Sequence, residues 1–245
     1  MQRITKILLV IVLVIFSLYI YFFTTWIVKN PSGNTVRDAM HYRLGDVVLH
    51  EGFNKKWINR TIYHYMYHGT IAHEYMLRTK DSKQFPDYDV LHQIIKEKSK
   101  DHQTPKDNEL IIHLRLGDII DWEYQEDIEE LLEGKKYWQF IRDYKYFEEK
   151  LEKLDNKVNK IILVGGFHTD GDHSRSYLYL EKIITYLEKK KFSVETRIDK
   201  ASADEDFIYM SNSKNFLKSC GGYSRIVNEM VDRNNGIILN KDIDY

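Results

Sequence analysis

The residues best suited to chemistry follow a short apolar segment at 110–114. The run His-Leu-Arg-Leu-Gly-Asp at 113–118 places His113 and Arg115 two residues apart, so on a strand both side chains point to one face. An arginine at the carboxyl end of a strand suits a diphosphate, because its planar guanidinium is permanently charged and forms bidentate hydrogen bonds. Gly117 would let the backbone turn, and Asp118 could fix the loop or the arginine. The structural alternative is a salt-bridged arginine at a sheet edge.

A second candidate motif lies at 216–224, Phe-Leu-Lys-Ser-Cys-Gly-Gly-Tyr-Ser, which runs from a predicted strand through a Gly-Gly turn into a predicted helix. Gly221 and Gly222 permit close approach of the backbone, and the start of a helix presents free N–H groups to an anion. Ser219 and Ser224 add hydroxyl donors. A Gly-Gly turn before a helix is common on its own, but together with Arg115 it predicts a pyrophosphate-binding site.

Metal binding by acidic residues is the alternative to a pyrophosphate-binding site. Asp-x-Asp occurs at 87–89, 170–172, 204–206 and 242–244, which suggests background in an acidic chain. Asp170 and Asp172 lie among histidines after a predicted strand, and such ligands suit Mn²⁺ or Zn²⁺. We favour a solvated loop in which Gly165 and Gly166 let the chain close over a nucleotide, and we predict no metal site. The histidines at 64 and 68 have helical metal-ligand spacing but lack the zincin glutamate, so packing or sugar stacking is favoured.

The elements that must position these residues alternate from Glu109 onward. Short apolar runs predict buried strands at 110–114 and 161–164, alternation predicts a strand with one covered face at 192–198, and further strands are predicted at 215–219 and 236–239. Helical spacing predicts helices at 137–151, 177–187, 204–211 and 223–231. Asp204 could cap the third of these helices. This order predicts an α/β fold: a Rossmann-like parallel sheet with helices on both faces, in which ligands bind beyond the carboxyl ends of the strands. We assign residues 109–245 to this nucleotide-sugar-binding domain.

The segment before it is less regular. We predict a strand within 42–50, helices at 60–78 and 87–98, and a polar linker at 99–108. Residues 31–108 are therefore interpreted as a small partial α/β domain with its linker. The acidic segment 121–133 is interpreted as an exposed loop or helix, not a site.

The N-terminal segment predicts a membrane anchor. Residues 7–28 carry no charge, and at about 1.5 Å per residue they would span roughly 30 Å of hydrocarbon. The run ends in bulky aromatic residues, which favours a retained transmembrane helix over a cleaved signal peptide or a buried core helix. Residues 1–30 are thus a short tail and an anchor. We expect a single-pass protein with a cytoplasmic N-terminus and a luminal (Golgi or ER) or extracytoplasmic domain.

Composition further narrows the functional classes to which this chain could belong. The formal net charge is −1 and no Lys/Arg-rich tract is present, which argues against a nucleic-acid partner. Cys220 is the single cysteine, so the sequence holds neither a disulfide framework nor a metal-binding cysteine set. No Gly-x₄-Gly-Lys-Ser/Thr phosphate loop is present, which disfavours a kinase or an ATPase.

The two motifs and the segment Asp-Glu-Asp-Phe-Ile-Tyr-Met-Ser at 204–211 resemble the metal-independent fucosyltransferases of GT-B architecture. That group includes the α1,2-, α1,6- and protein O-fucosyltransferases, and its first motif is His-x-Arg-Arg-Gly-Asp or a close variant. The resemblance covers about residues 109–235. The chain departs from the pattern at Leu116, which replaces the second arginine, and at Gly222-Tyr223-Ser224, which replaces a Ser/Thr-Phe-Ser turn. The acceptor-side domain, residues 31–108, is also short, so the implied architecture is a reduced GT-B fold.

The resemblance implies that Arg115 binds the β-phosphate of GDP-fucose, and that Asp206, Tyr223 and the rest of the 219–224 turn line the nucleotide pocket. The partners would be a GDP-sugar donor and a glycan acceptor, with no other cofactor. Losing one preorganised donor to the leaving group costs about 10²–10³ in rate, and Arg115 is our choice for that role.

The acceptor hydroxyl also needs a base, for which Asp46, Glu51 and Asp118 are unranked candidates. The alternatives to a fucosyltransferase-like enzyme are a non-catalytic anchored binding module and a metal-dependent transferase that uses Asp170 and Asp172.

Overall fold

The computed structural model describes residues 12–18, 44, 48, 71–79, 82, 86–123, 126–136, 140–167 and 171–240. The described chain contains a five-stranded, wholly parallel sheet in the order β3-β2-β1-β4-β5. The strands are β1 (Glu109–His113), β2 (Lys160–Gly165), β3 (Ser193–Ile198), β4 (Asn215–Leu217) and β5 (Ile237–Ile238). All five lie where the sequence predicts strands. The α/β class and the Rossmann-like sheet with helices on both faces are therefore confirmed.

Helices connect and precede the strands. They are α1 (Ile71–Thr79), α2 (Tyr88–Lys98), α3 (Ile128–Leu132), α4 (Tyr144–Leu151), α5 (Ser174–Lys189), α6 (Ala203–Ser211) and α7 (Gly222–Arg233). A 3₁₀ turn at Ser99–Asp101 follows α2, and a π-helical segment at Ile119–Glu123 follows β1.

Side-chain caps decide where several helices begin. Asp143 accepts a hydrogen bond from the Tyr146 amide, so α4 starts at Tyr144, and the predicted helical start before residue 140 is wrong over residues 140–143. Helix α6 begins with a capping box in which Ser202 and Glu205 satisfy each other's amides. The prediction that Asp204 caps this helix is therefore wrong.

The sheet has two buried faces because successive strand residues alternate between them. The face that contains Ile111, Ile162 and Phe216 packs under α1, α2, α6 and α7 and is called the α7 face. The opposite face, with Ile112 and Leu163, packs under α3, α4 and α5 and is called the α5 face. Each fully buried aliphatic side chain contributes roughly 1.5–3 kcal/mol, so both faces stabilise the sheet.

Residues 44 and 48 and the helices α1 and α2 contribute side chains to this same core. Leu44 and Val48 are helical and fully buried with α1 and α2 on the α7 face, so the strand predicted within 42–50 is wrong at these two residues. The predicted helix at 87–98 is confirmed by α2, which Asp87 caps. The assignment of residues 31–108 to a small acceptor-side domain stays a prediction.

A hydrogen bond ties the start of α1 to α6. The Ile71 amide donates to Asp204 Oδ2 at 3.0 Å. Burial raises the pKa of the Asp204 carboxyl to about 6, and the Ile71 amide acts in the opposite direction. Asp204 therefore ties the start of α1 to α6 rather than capping its own helix.

The predicted membrane anchor at 7–28 lies outside the described residues except for 12–18, which are helical. A search of the described ranges finds no helix with the length and apolar character needed to cross a membrane.

Candidate functional site

Both sequence motifs meet at one edge of the sheet. The crossovers from β1 and β2 run over the α5 face, whereas α6 and α7 lie on the α7 face, so the winding direction changes between the neighbouring strands β1 and β4. In such sheets, ligands bind outside the carboxyl ends of the strands at this switch point. Arg115 follows the end of β1 by two residues, and Ser219 follows the end of β4 by two residues. The fold therefore places the two motifs side by side.

Arg115 lies against the start of α7. A Cβ added to Gly221 would lie only 3.4 Å from Arg115 Nη1, and Gly221 has φ +92°, a conformation that favours glycine. On its other side, Arg115 Nη2 donates to Asp118 Oδ2 at 3.1 Å. The Arg115 side chain is only 16% exposed, and its Nε has no hydrogen-bond partner among the residues that the structure describes. Buried polar atoms are ordinarily paired, so this donor is suited to a ligand.

His113 joins the same two motifs from the buried side. Its Nδ1 lies 2.6 Å from Ser224 Oγ and 3.0 Å from Ser219 Oγ, and all three side chains are buried. The two hydroxyls are 3.4 Å apart. This cluster fixes the β4–α7 turn against the end of β1. A direct role of these three residues in binding a nucleotide sugar stays a prediction.

Arg142 and Lys218 were not singled out from the sequence, yet both are buried at this edge. Arg142 Nη2 donates to Cys220 Sγ at 2.6 Å. Burial raises the pKa of the Cys220 thiol, while the charges of Arg142, Lys218 and Arg115 act to lower it. Three cations thus lie within electrostatic reach of one thiol, and we call Arg115, Arg142 and Lys218 the cation cluster.

The position of Lys218 is fixed by its backbone. Its amide donates to Asn240 Oδ1 at 3.2 Å, and its carbonyl accepts from Asn240 Nδ2 and from the Tyr146 hydroxyl, each at 3.1 Å. Tyr146 also lies under Arg142, whose guanidinium carbon is 4.6 Å from the ring centroid. Tyr146 and Asn240 therefore fix the place of both cations.

A second polar network, which sequence analysis missed, lies beside the Arg115 loop. Asp121 Oδ2 lies 2.8 Å from His173 Nδ1, and both Asp121 oxygens accept from Ser176, one from its amide and one from its hydroxyl, at 2.9 Å. Ser176 Oγ in turn accepts from the Gly117 amide at 2.9 Å. The Asp121 side chain is 1% exposed, so the exposure predicted for the segment 121–133 is wrong for Asp121.

That prediction is also wrong for the apolar side chains of α3. Ile128, Leu131 and Leu132 are buried in the α5-face core.

The glycines after β2 permit close packing. A Cβ on Gly165 would lie 2.7 Å from the Leu114 carbonyl oxygen, and one on Gly166 would lie 3.0 Å from Asp199 Oδ1. Gly165 thus allows β2 to run close beside the chain that leaves β1. The nucleotide-binding role predicted for both glycines stays a prediction.

Asp206 and Tyr223 connect elements on the α7 face. The buried Asp206 carboxylate accepts from Arg197 Nε at 2.7 Å and so ties α6 to β3. The Tyr223 hydroxyl donates to the Ala203 carbonyl at 2.8 Å, and its ring lies 5.5 Å from the His113 ring. Burial raises the pKa of Tyr223 well above its usual value, and the charges of Asp206 and Asp204 act in the same direction. Both residues support the walls of the site, and contact with a nucleotide stays a prediction.

The alternative metal loop is described only in part. Asp172 Oδ1 accepts from the Ser174 amide at 2.9 Å, and the hydrogen bonds from Ser174 lower the pKa of Asp172. Asp170 lies outside the described residues, as do Asp46 and Glu51 and the histidines at 64 and 68. Across the part of the chain that the structure describes, no group of three or more His, Cys, Asp and Glu side chains could hold a metal ion.

Comparison with family models, with curated proteins and with solved structures gives no match to this chain.

Proposed function

We propose that this chain is a glycosyltransferase, similar to the metal-independent fucosyltransferases, that transfers a sugar from a GDP-sugar to a glycan or glycoprotein hydroxyl. The observation that carries the proposal is the position of Arg115 against Gly221, where the first turn of α7 begins. A guanidinium and the free amides of a helix start are both groups that bind phosphate.

The charge at this edge supports the proposal. Asp118 offsets one positive charge through its ion pair with Arg115, while Arg142 and Lys218 are buried nearby. A diphosphate would be attracted by these positive charges, and its own negative charge increases when the glycosidic bond to the donor breaks. Cations aimed at that developing charge stabilise the transition state.

The wider organisation follows from the same proposal. The sheet and its helices form the donor side of a reduced GT-B enzyme, and residues 31–108 supply the acceptor side. Residues 7–28 anchor the protein with its N-terminus in the cytoplasm and its domain in the Golgi or ER lumen, or outside the cell. The donor GDP-sugar is a substrate, and no metal or further cofactor enters the reaction.

Isothermal titration of the full chain in detergent and EDTA tests the proposal, with GDP-fucose, GDP-mannose and UDP-sugars as ligands. We expect a GDP-sugar to bind and Arg115→Ala to weaken binding at least tenfold. Arg233→Ala is the matched control, because Arg233 is at the other end of α7, where it pairs with Glu229 and Asp89. Binding of no nucleotide sugar, or equal affinity in the Arg115 variant, contradicts the proposal.

One observation favours a second candidate, a non-catalytic anchored module that binds a glycan. Leu116, at the position of the second arginine of the fucosyltransferase motif, is fully buried in the α5-face core and cannot contact a phosphate. Glycan-array binding without donor turnover would support this alternative. Dependence on Mn²⁺ that is lost in Asp170→Asn and Asp172→Asn would instead support a metal-dependent transferase.

A further inference from the structure

The Asp121–His173 pair has the geometry of a general base. Asp121 Oδ2 is 2.8 Å from His173 Nδ1. Because an ionised carboxylate only accepts hydrogen bonds, Nδ1 carries the ring proton, and the lone pair is left on Nε2. The Asp121 side chain is 1% exposed, whereas that of His173 is 14% exposed. The carboxylate is therefore buried in the protein, whereas the imidazole is partly exposed to solvent.

Two further contacts hold the pair in one orientation. Ser176 donates to both Asp121 oxygens at 2.9 Å, which fixes the carboxylate. The Phe167 ring stacks on His173 with centroids 4.5 Å apart and an interplanar angle of 11°. A base must be held in a productive geometry to remove a proton efficiently. The imidazole plane and its tautomer are both set before any substrate arrives.

The pair lies beside Arg115 on the side toward β2. Ser176 Oγ accepts from the Gly117 amide at 2.9 Å, and Gly117 is two residues beyond Arg115. His173 is three residues before Ser176, about one helical turn away. The β4–α7 turn lies on the opposite side of Arg115, next to β4. A donor whose diphosphate lies between Arg115 and α7 would thus leave the β2 side open for an acceptor.

Asp118 is poorly placed for this task. Of the three carboxylates considered from the sequence, it is the one in the described chain, and it is paired with Arg115 at 3.1 Å. Both of its carboxylate oxygens already accept from Arg115 Nη2, at 3.4 and 3.1 Å, so that pairing occupies the carboxylate. His173 has no such cation partner among the described contacts.

An exposed aromatic ring adjoins His173. Tyr177, one turn farther along α5, is 58% exposed, and its ring lies 4.9 Å from that of Phe167. Large exposed aromatic side chains offer an apolar face with a polar tip, which suits the mixed surface of a sugar ring. The surface beside the stacked Phe167 and His173 rings therefore presents an aromatic group suited to a glycan.

We propose that His173 is the general base for the acceptor hydroxyl and that Asp121 is its positioning residue; this inference rests on the proposed glycosyl transfer. The acceptor oxygen forms a bond to the anomeric carbon of the donor sugar, and its proton passes to His173 Nε2. The bond from that carbon to the diphosphate oxygen breaks, and the leaving diphosphate keeps the electron pair next to Arg115. Asp121 stabilises the imidazolium that results.

The test uses the full chain with GDP-fucose as donor and a mixture of defucosylated N- and O-glycans as acceptors. His173→Asn is the principal variant, because its amide keeps an N–H near the position of Nδ1 but removes Nε2. We expect kcat to fall about 10²–10⁴-fold, with the GDP-fucose Kd unchanged. Free imidazole should restore part of the activity of His173→Ala. Asp121→Asn should lower kcat and leave the Kd unchanged, because it disturbs the tautomer.

His102→Gln is the matched control, since His102 is exposed and, among the described contacts, its side chain is hydrogen-bonded only to the Lys98 carbonyl. A second variant, His173→Gln, serves if His173→Asn fails to fold by circular dichroism. Normal donor affinity with an unchanged kcat in a folded His173 variant overturns the role of His173 alone. Absence of GDP-fucose binding to the native chain overturns the proposed GDP-fucose transfer together with this role.

Discussion

Nδ1 of His113 lies 2.6 Å from Ser224 Oγ, so the last residue of β1 is joined to the first turn of α7 by a buried hydrogen bond. A second hydroxyl, that of Ser219, lies 3.0 Å from the same nitrogen. One imidazole thereby sets the distance between the loop that carries Arg115 and the turn that carries Gly221. The geometry of the candidate site depends on this cluster even if His113 never contacts a ligand.

His113→Phe should therefore destabilise the protein. The substitution keeps an aromatic ring but leaves two buried hydroxyls without their shared partner, and each unsatisfied group costs about 1–3 kcal/mol. We expect a loss of about 2–4 kcal/mol in the free energy of unfolding, measured with urea. Adding Ser219→Ala and Ser224→Ala should recover part of that loss. Unchanged stability in the single variant would contradict the structural role of His113.

Gly165→Ala should also be destabilising, because the new methyl group would lie 2.7 Å from the backbone oxygen of Leu114. Neither chain can move without disturbing the pairing of β1 with β2, so a loss of about 1–3 kcal/mol is expected. Gly166→Ala is the comparison, since its methyl group would meet only the side chain of Asp199, at 3.0 Å. Equal thermal unfolding midpoints for the two variants would show that the close approach carries no cost.

Gly221→Ala should affect both folding and ligand binding. Its φ of +92° is unfavourable for alanine by about 1–2 kcal/mol, and its Cβ would lie 3.4 Å from Arg115 Nη1. Gly134→Ala is a matched control, with φ +74° and a Cβ 3.4 Å from Asp143 Oδ2. We expect similar losses of stability, but weaker GDP binding by titration in the Gly221 variant alone. Weaker binding in both variants would assign the effect to general destabilisation.

Asp204 should make stability depend on pH. Its folded pKa of about 6 lies above its ordinary value of 3.8, so the folded protein holds this proton more tightly than the unfolded chain. The stability that protonated Asp204 contributes to the folded protein is therefore present in full below about pH 4 and is lost as the pH rises through 6.

Asp204→Asn should remove this dependence while keeping an oxygen that accepts from the Ile71 amide. Relative to that of the native protein, the free energy of unfolding of the variant should rise by about 2 kcal/mol between pH 4 and pH 7. This figure allows for the solvent that reaches a half-buried carboxyl. Urea unfolding at both pH values measures the difference. If the free energies of unfolding of the two proteins changed in parallel with pH, Asp204 would not be the source of the pH dependence.

The cation cluster should bind anions even without a sugar. Lys218→Met and Arg142→Met each keep a long apolar chain but remove one charge, and we expect each to weaken pyrophosphate binding by about tenfold or more. Lys145→Met is the control, because the Lys145 side chain is 80% exposed. Titration at low and high salt measures the effect. Affinity equal to that of the native protein would remove Lys218 or Arg142 from the site.

The main features of the fold could be predicted because β1 and β2 are short apolar runs and β3 alternates apolar with polar residues. The approach of Arg115 to Gly221 could also be expected, since parallel strands bring their carboxyl ends to one edge. Arg142 could not be placed in this way, because it precedes the Asp143 cap in a stretch that apolar spacing alone made helical. The Asp121–His173 pair joins residues 52 positions apart, and no local pattern reports such a contact.

Leu44 and Val48 show a different kind of error. They lie four residues apart, which is helical spacing, but the surrounding apolar residues favoured a strand. Burial of both side chains on the α7 face favours the helix over the strand. Asp204 likewise had the right residue type for a cap but lay two positions too late, and its carboxyl reaches α1 instead.

The sharing of one core by α1, α2 and the sheet sets a lower limit on what can fold by itself. A polypeptide that starts at Glu109 would keep all five described strands and both motifs, yet α6 and α7 would lose Leu91, Ile94 and Ile95, which share their buried core, and would expose apolar surface. Such a fragment should aggregate, and a shorter version of this protein must begin ahead of Ile71. The stretch before β1 is thus part of the body that supports the site.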